Sequence, residues 1–124
     1  MSPASLELLR RGVELFNRQR FFEAHEVWED AWRVERGEPA YLLHGLIQVA
    51  AGFVKLQRSE PRGTVGLLCK GASKLKRFHP GRYGLDVEGL LVSVARWEQI
   101  AERMVATGAT DYDSEDLPRL TMVP

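Results

Sequence analysis

The residues best suited to chemistry in this sequence lie close together, in the segment FFEAHEVWEDAW at residues 21–32. On a helix with about 100° between residues, His25, Trp28 and Trp32 share one apolar stripe, and Glu29 follows His25 by one turn. An imidazole on such a stripe is predicted to face the core, where protein groups must replace its hydrogen bonds to water. Glu29 is placed to be that partner.

The pair of His25 and Glu29 has three interpretations. It could lock two helices together, supply two ligands of a metal site, or act in general acid–base catalysis. The segment HEVWE differs from the His-Glu-x-x-His pattern of zinc proteases, because Glu29 stands where the second histidine is required. The sequence therefore favours a non-enzymatic binding or scaffold domain without a cofactor. The alternative is a metal-binding protein or hydrolase-like enzyme that uses His25 and Glu29, with a divalent metal as its candidate cofactor.

A second polar stripe is predicted on the third helix. Gln48 lies on the same side as Gly45 and Gly52, and two glycines on one helix face predict that a bulky group approaches closely. We expect a tryptophan of the second helix to occupy that space, which would bring Gln48 to His25 and Glu29. The predicted pocket or polar cluster comprises His25, Glu26, Trp28, Glu29, Trp32, Tyr41 and Gln48. The remaining histidines, His44 and His79, are predicted to be surface residues.

Helical periodicity dominates the rest of the chain, which has no alternating β-branched runs and no Asn-Gly hairpin signal. Short connections make successive helices antiparallel neighbours, so the predicted fold is all-α, a compact bundle of about five helices. The predicted helices cover residues 4–18, 21–34, 39–58, 61–78 and 87–107. The residues expected in or near the core are Phe21, Trp28, Trp32, Leu46, Phe53, Leu75 and Trp97.

Two caps and a stop signal define the ends of the bundle. Ser2 and Asp86 are predicted N-caps of the first and fifth helices, and Gly108 is predicted to end the fifth. Residues 108–124 are acidic and lack helical periodicity. We therefore predict a helical domain at residues 1–107 and a flexible or loosely docked acidic tail at residues 108–124.

The composition fits one globular domain. The 124 residues include 17 basic and 17 acidic side chains, so the formal net charge is zero. Cys69 is the single cysteine and cannot form an internal disulfide, and the N-terminal residues lack a signal-peptide pattern. A cytoplasmic location is therefore expected. The apolar run at residues 45–54 is shorter than the roughly 20 residues that cross a bilayer, so no membrane association is expected.

The zero net charge hides a basic segment. Residues 53–85 contain Glu60 as their single acid, and Lys70, Lys74 and Arg77 share one helix face, which makes them a candidate anion patch. A further alternative function is therefore anion or nucleic-acid binding through the stretch 55–82. Nucleic acid is disfavoured because the sequence has no recognised nucleic-acid motif. The acidic tail could also cover this helix, in the same chain or in a homo-oligomer or protein partner.

Three motifs resemble the family called Domain of Unknown Function 309. They are FFEAHEVWEDAW, GLIQVAAGFVKL and RGTVGLLCKGASKLKRF, and the resemblance extends over about residues 6–105. It implies a compact helical domain from bacteria or archaea with no established activity. The positions that match the family signature are Phe22, Glu23, His25, Glu26, Glu29, Trp32, Gly45, Leu46, Ile47 and Gln48.

Overall fold

The computed structural model describes residues 1–123, and within them it contains five α-helices. They are α1 (Pro3–Asn17), α2 (Phe21–Val34), α3 (Gly37–Gln57), α4 (Pro61–Leu75) and α5 (Val87–Thr107). Each helix packs on the next one in the chain, so the predicted all-α bundle is confirmed. The fourth helix is shorter than predicted, because a 3-10 turn at Lys76–Phe78 follows Leu75. Two short antiparallel strands, β1 (Gly81–Arg82) and β2 (Leu85–Asp86), then lead into α5.

The helix ends follow the capping rules that the sequence indicated. The Ser2 side chain accepts a hydrogen bond from the Ser5 backbone N–H at 3.1 Å, and Asp86 accepts one from Gly89 at 3.0 Å. Gly108 ends α5 in the left-handed region, with φ of 77°. All three predicted end signals are therefore confirmed.

The central helix of the bundle is α3, which contacts α2 on one side and α4 on the other. It is long and apolar enough to cross a membrane, but 61% of its most apolar window is buried inside the bundle, as expected for a core helix. Its half-buried positions form one stripe at three- and four-residue spacing. After the first turn, which contains the half-buried Pro39 and Ala40, they are Tyr41, His44, Gln48, Ala51 and Lys55.

The glycine face of α3 turns toward α4, which corrects the expectation that a tryptophan fills it. A Cβ atom at Gly45 would lie 2.9 Å from Leu75 Cγ and 3.3 Å from the carbonyl oxygen of Gly71, and one at Gly52 would lie 2.9 Å from Leu68. Gly71 adds a second side-chain-free position opposite Gly45. The two helix backbones approach there so closely that no indole fits between them.

The indole of Trp28 packs on α1 instead. Its Nε1 donates a hydrogen bond to the Leu9 carbonyl oxygen at 3.1 Å, and its ring occupies the space that a side chain at Gly12 would need. Trp28 is fully buried beside Phe16, whose ring centroid is 6.0 Å away. The hydrogen bond satisfies the one polar atom of a ring that contributes a large buried apolar area.

Six of the seven predicted core residues are buried, and Trp32 is the exception. Its side chain belongs to the last turn of α2 and is 38% exposed. Its aromatic neighbour is His44 of α3, 5.5 Å away between ring centroids. The prediction for Trp32 was wrong because helical spacing gives the direction in which a side chain points. It does not indicate whether a neighbouring helix extends far enough to cover that side chain.

Residues 108–123 pack back onto the bundle through contacts that periodicity does not indicate. Leu117 and Leu120 are buried, and the Leu120 backbone exchanges two hydrogen bonds with the Asn17 side chain, at 2.7 and 2.9 Å. Val123 donates a backbone hydrogen bond to Gly84 at 2.7 Å. The division into a domain at 1–107 and a separate, flexible tail stays a prediction.

Candidate functional site

His25 and Glu29 lie at the edge between α2 and α3. The Nδ1 atom of His25 is 3.3 Å from Oε1 of Glu29, and the two side chains are 25% and 29% exposed. The contact lacks hydrogen-bond alignment, so Nδ1 has no hydrogen-bond partner among residues 1–123. Glu29 Oε2 is also 4.0 Å from Arg33. The imidazole borders solvent because His25 lies about 60° around the helix from Trp28, which is the fully buried position.

A groove between α2 and α3 opens beside the imidazole. It encloses about 160 Å³ and is lined by Phe22, His25, Ala51, Val54, Lys55 and Arg58, which we call the α2–α3 groove. The Phe22 ring at its rim is 50% exposed and stacks on His25 with 5.9 Å between ring centroids. Lys55 pairs with Glu60 at 3.1 Å, whereas Arg58 has no ion-pair partner within the described residues.

A second cluster continues along α3 toward α4. Lys74 of α4 donates a hydrogen bond to Gln48 Oε1 at 2.9 Å. The Arg77 guanidinium lies 4.3 Å from the centroid of the Tyr41 ring, and the Lys74 ammonium lies 6.0 Å from it. Burial, and secondarily the charge of Lys74, lowers the pKa of His44 below its ordinary value, so this imidazole is held in its neutral form.

The structure divides the predicted cluster into three groups. His25 and Glu29 stay together at the α2–α3 groove. Tyr41 and Gln48 join Lys74 and Arg77 of the predicted anion patch, so parts of the two predicted sites form one cluster. Trp32 packs on His44 at the edge of this second cluster. The other predicted residues lie elsewhere. Trp28 is buried against α1. Glu26 and, from the predicted anion patch, Lys70 are exposed, and their side chains form no hydrogen bond or ion pair in the described chain.

Sequence reasoning missed Ala51, Lys55 and Arg58 as groove residues and His44 as the neighbour of Trp32. A signal for most of them is present in the sequence. His44, Gln48, Ala51 and Lys55 follow one another at steps of four, three and four on an otherwise apolar helix. Such a stripe predicts the one side of a core helix that reaches solvent.

A metal site would need more ligands than this pair supplies. Among residues 1–123, no group of three or more His, Cys, Asp and Glu side chains is close enough to hold an ion. His25 and Glu29 alone offer one imidazole and one carboxylate, whereas a zinc site takes at least three protein ligands.

Comparison with protein families supports the resemblance that the motifs indicated. The sequence model of the family described as Domain of unknown function (DUF309) matches residues 9–67, from α1 to the middle of α4. This range contains the first two motifs and only the beginning of the third. The chain is therefore similar to that family over the helices that form the α2–α3 groove. A comparison with curated proteins found no match.

Proposed function

We propose that this protein is a small non-enzymatic binding domain that receives a segment of a protein partner in the α2–α3 groove. The observation that carries the proposal is the half-exposed ring of Phe22, which stacks on His25 at the mouth of the groove. Large aromatic side chains are more often buried, and those that stay exposed beside a pocket are typical anchors of protein interfaces.

The size of the groove favours a side chain of a partner over a free small molecule. Pockets for drug-sized ligands enclose roughly 300–1,000 Å³, whereas this groove encloses about 160 Å³. Its floor consists of Ala51 and Val54 of α3, which are apolar. One side chain of a docked segment fits this volume, and the rest of the segment can pack on Phe22.

Charge selects an acidic side chain for that position. Lys55, Arg58 and His25 line the groove, and the guanidinium of Arg58 is free of carboxylates in the described part of the chain. A carboxylate that enters from a partner could form a bidentate pair with Arg58. We therefore propose a partner segment that places an apolar residue on Phe22 and an aspartate or glutamate beside Arg58.

The alternative, in which His25 and Glu29 serve an enzyme or a metal site, has less support. The two side chains are close enough to exchange a proton through a small shift, but the described residues group no third metal-ligand side chain beside them. The proposal places the protein in the cytoplasm, because its one cysteine, Cys69, forms no internal disulfide.

A selection of short peptides from a random library, followed by affinity measurement, tests this proposal. We expect the enriched peptides to share an acidic residue near an apolar one. Phe22→Ala and Arg58→Gln should each weaken binding about tenfold, which corresponds to ~1.4 kcal/mol. The control is Val92→Ala on α5, which truncates another exposed apolar side chain far along the sequence, 68% exposed against 50% for Phe22. It should change the affinity less than about twofold.

Three outcomes would contradict the proposal. The first is no enrichment, and the second is an equal loss of affinity in the Val92→Ala control. The third is a concentration-dependent dimer in analytical ultracentrifugation that Phe22→Ala dissociates, because the occupant of the groove would then be a second copy of the chain.

A further inference from the structure

Two cations at the end of α4 are contacted by polar and aromatic side chains of α3 rather than by carboxylates. Lys74 and Arg77 are one turn apart, and neither forms an ion pair within residues 1–123. Elsewhere, Arg82 pairs with Glu38 at 2.9 Å and Lys55 with Glu60 at 3.1 Å. Like charges at this helical spacing repel each other. An anion bound between Lys74 and Arg77 would remove that repulsion.

Both cations are already held in place by α3. The Lys74 ammonium uses one of its three N–H groups on Gln48, which leaves two for a ligand. The Arg77 guanidinium lies over the Tyr41 ring at 4.3 Å, and this stacking uses its face and leaves its edge N–H groups free. Side chains that are fixed before binding lose less conformational entropy when a ligand arrives.

An exposed indole packs on the stripe of α3 that also contacts the cations. His44, whose pKa is lowered by burial and by Lys74, connects that charge to Trp32, 5.5 Å away between ring centroids. Trp32 is 38% exposed, whereas Trp28 and Trp97 are 0% and 2% exposed. The structure therefore places one accessible indole against His44, on the same α3 stripe whose Tyr41 and Gln48 contact the two cations.

We infer that Tyr41, His44, Gln48, Lys74 and Arg77, with Trp32 at their edge, form a binding site for a phosphate monoester that carries a planar ring. We call these residues the Lys74 site. The phosphate would bind the ammonium of Lys74 and the edge of the Arg77 guanidinium, and the ring would pack on Trp32. The site lies between α3 and α4 and takes a small charged group, so it goes beyond the proposed function of the α2–α3 groove.

The charge of the ligand follows from the number of cations. A phosphate monoester carries about −1.5 to −2 charges at neutral pH, which two cations balance. A carboxylate carries one negative charge and would leave one cation unbalanced. Lys70 shares the helix face of Lys74 but is exposed, and within the described residues its side chain forms no hydrogen bond, ion pair or cation–π contact, so we leave it outside the site.

The test is a titration of the isotope-labelled full chain with phenyl phosphate, followed by NMR at constant ionic strength. We expect the indole N–H signal of Trp32, assigned with Trp32→Phe, to shift while the signals of the two buried indoles stay in place. Lys74→Gln and Arg77→Gln should each weaken binding by about tenfold or more. The matched control, Lys70→Gln, makes the same charge change on the same helix and should weaken binding less than about twofold. Thermal unfolding of each variant verifies the fold.

Neutral and ring-free probes complete the experiment. Phenol should bind far more weakly than phenyl phosphate, and inorganic phosphate should bind more weakly and leave the Trp32 signal in place. A phosphotyrosyl peptide distinguishes the source of the ligand, because tighter binding than phenyl phosphate assigns the phosphate to a peptide and equal binding assigns it to a free molecule. Equal losses in Lys70→Gln and Lys74→Gln would overturn the inference, since the attraction would then be unspecific. Phenol binding as tightly as phenyl phosphate would also overturn it.

Discussion

Two tryptophans four residues apart on α2 have opposite environments. Trp28 is fully buried, hydrogen-bonded to the Leu9 carbonyl oxygen and fitted against Gly12. Trp32 is 38% exposed, and its aromatic neighbour is His44. The same side chain therefore stabilises the fold at one position and remains available for other molecules at the other.

The difference shows which aromatic residues of α2 are accounted for by packing in the core and which are not. On the Trp28 side, the indole, its hydrogen bond and the missing side chain of Gly12 account for one another. At the positions of Phe22 and Trp32, by contrast, aromatic surface stays in water, where it contributes little to stability. Exposed aromatics beside positioned cations are typical of binding surfaces.

The largest expected effect separates the two indoles directly. Trp28→Ala should lower the free energy of unfolding by about 3–5 kcal/mol, because it leaves a cavity and removes the hydrogen bond to Leu9. Trp32→Ala should lower it by less, about 1–2 kcal/mol, because 38% of that residue is already exposed and no hydrogen bond of its ring is lost. Urea denaturation of both variants measures the difference. Equal losses would remove the distinction between the two positions.

The glycines offer a second comparison, with opposite signs. A methyl group at Gly12 would overlap the Trp28 indole, whereas one at Gly66 of α4 would meet open space. We expect Gly12→Ala to destabilise the fold by about 3 kcal/mol through overpacking. Gly66→Ala should stabilise it by about 0.5–1 kcal/mol, because alanine is the better helix former. Differential scanning calorimetry of both variants checks the signs, and a harmless Gly12→Ala would show that the Trp28 contact is loose.

Much of the fold follows from local sequence signals. The caps at Ser2 and Asp86 depend on side chains within a few residues of the helix ends, so they could be predicted and are confirmed. Periodicity could not distinguish Trp28 from Trp32, because both fall on one stripe and differ in what the other helices place opposite them. Leu120 is buried without belonging to any periodic pattern, so its position could not be predicted.

The candidate sites show the same limit. The contact of His25 with Glu29 follows from helical spacing within one element, and the sequence indicates it directly. The hydrogen bond from Lys74 to Gln48 joins two helices over 26 positions of sequence. Sequence alone assigned Gln48 to the His25 cluster, because it indicates a polar stripe on α3 but not whether α2 or α4 approaches it.

The packing of Trp28 depends on α1, and the end of α1 is hydrogen-bonded in turn to the C-terminal segment. Asn17→Ala removes both hydrogen bonds to the Leu120 backbone and should lower the free energy of unfolding by about 1–2 kcal/mol. Asn17→Asp should have a smaller effect, because a carboxylate still accepts from the Leu120 N–H. Glu14→Ala, an exposed change one turn earlier, is the control. An Asn17→Ala variant as stable as this control would indicate that the segment contributes nothing.

The smallest effect should appear at His44, the neighbour of Trp32, as a pH dependence of the free energy of unfolding. Burial, and then the charge of Lys74, lowers the pKa of His44 from its ordinary value of 6.5, so the unfolded chain binds this proton at a higher pH than the folded protein. The free energy of unfolding should therefore fall as the pH drops from about 6.5 to the lower pKa that His44 has in the folded protein. Above about pH 6.5, His44 contributes no slope. His44→Gln should remove this part of the slope, measured as urea midpoints between about pH 7.5 and 5. Parallel curves for the two proteins would mean that His44 takes up its proton as readily in the folded protein as in the unfolded chain. The surroundings of His44 would then be more solvated than its contact with Trp32 indicates.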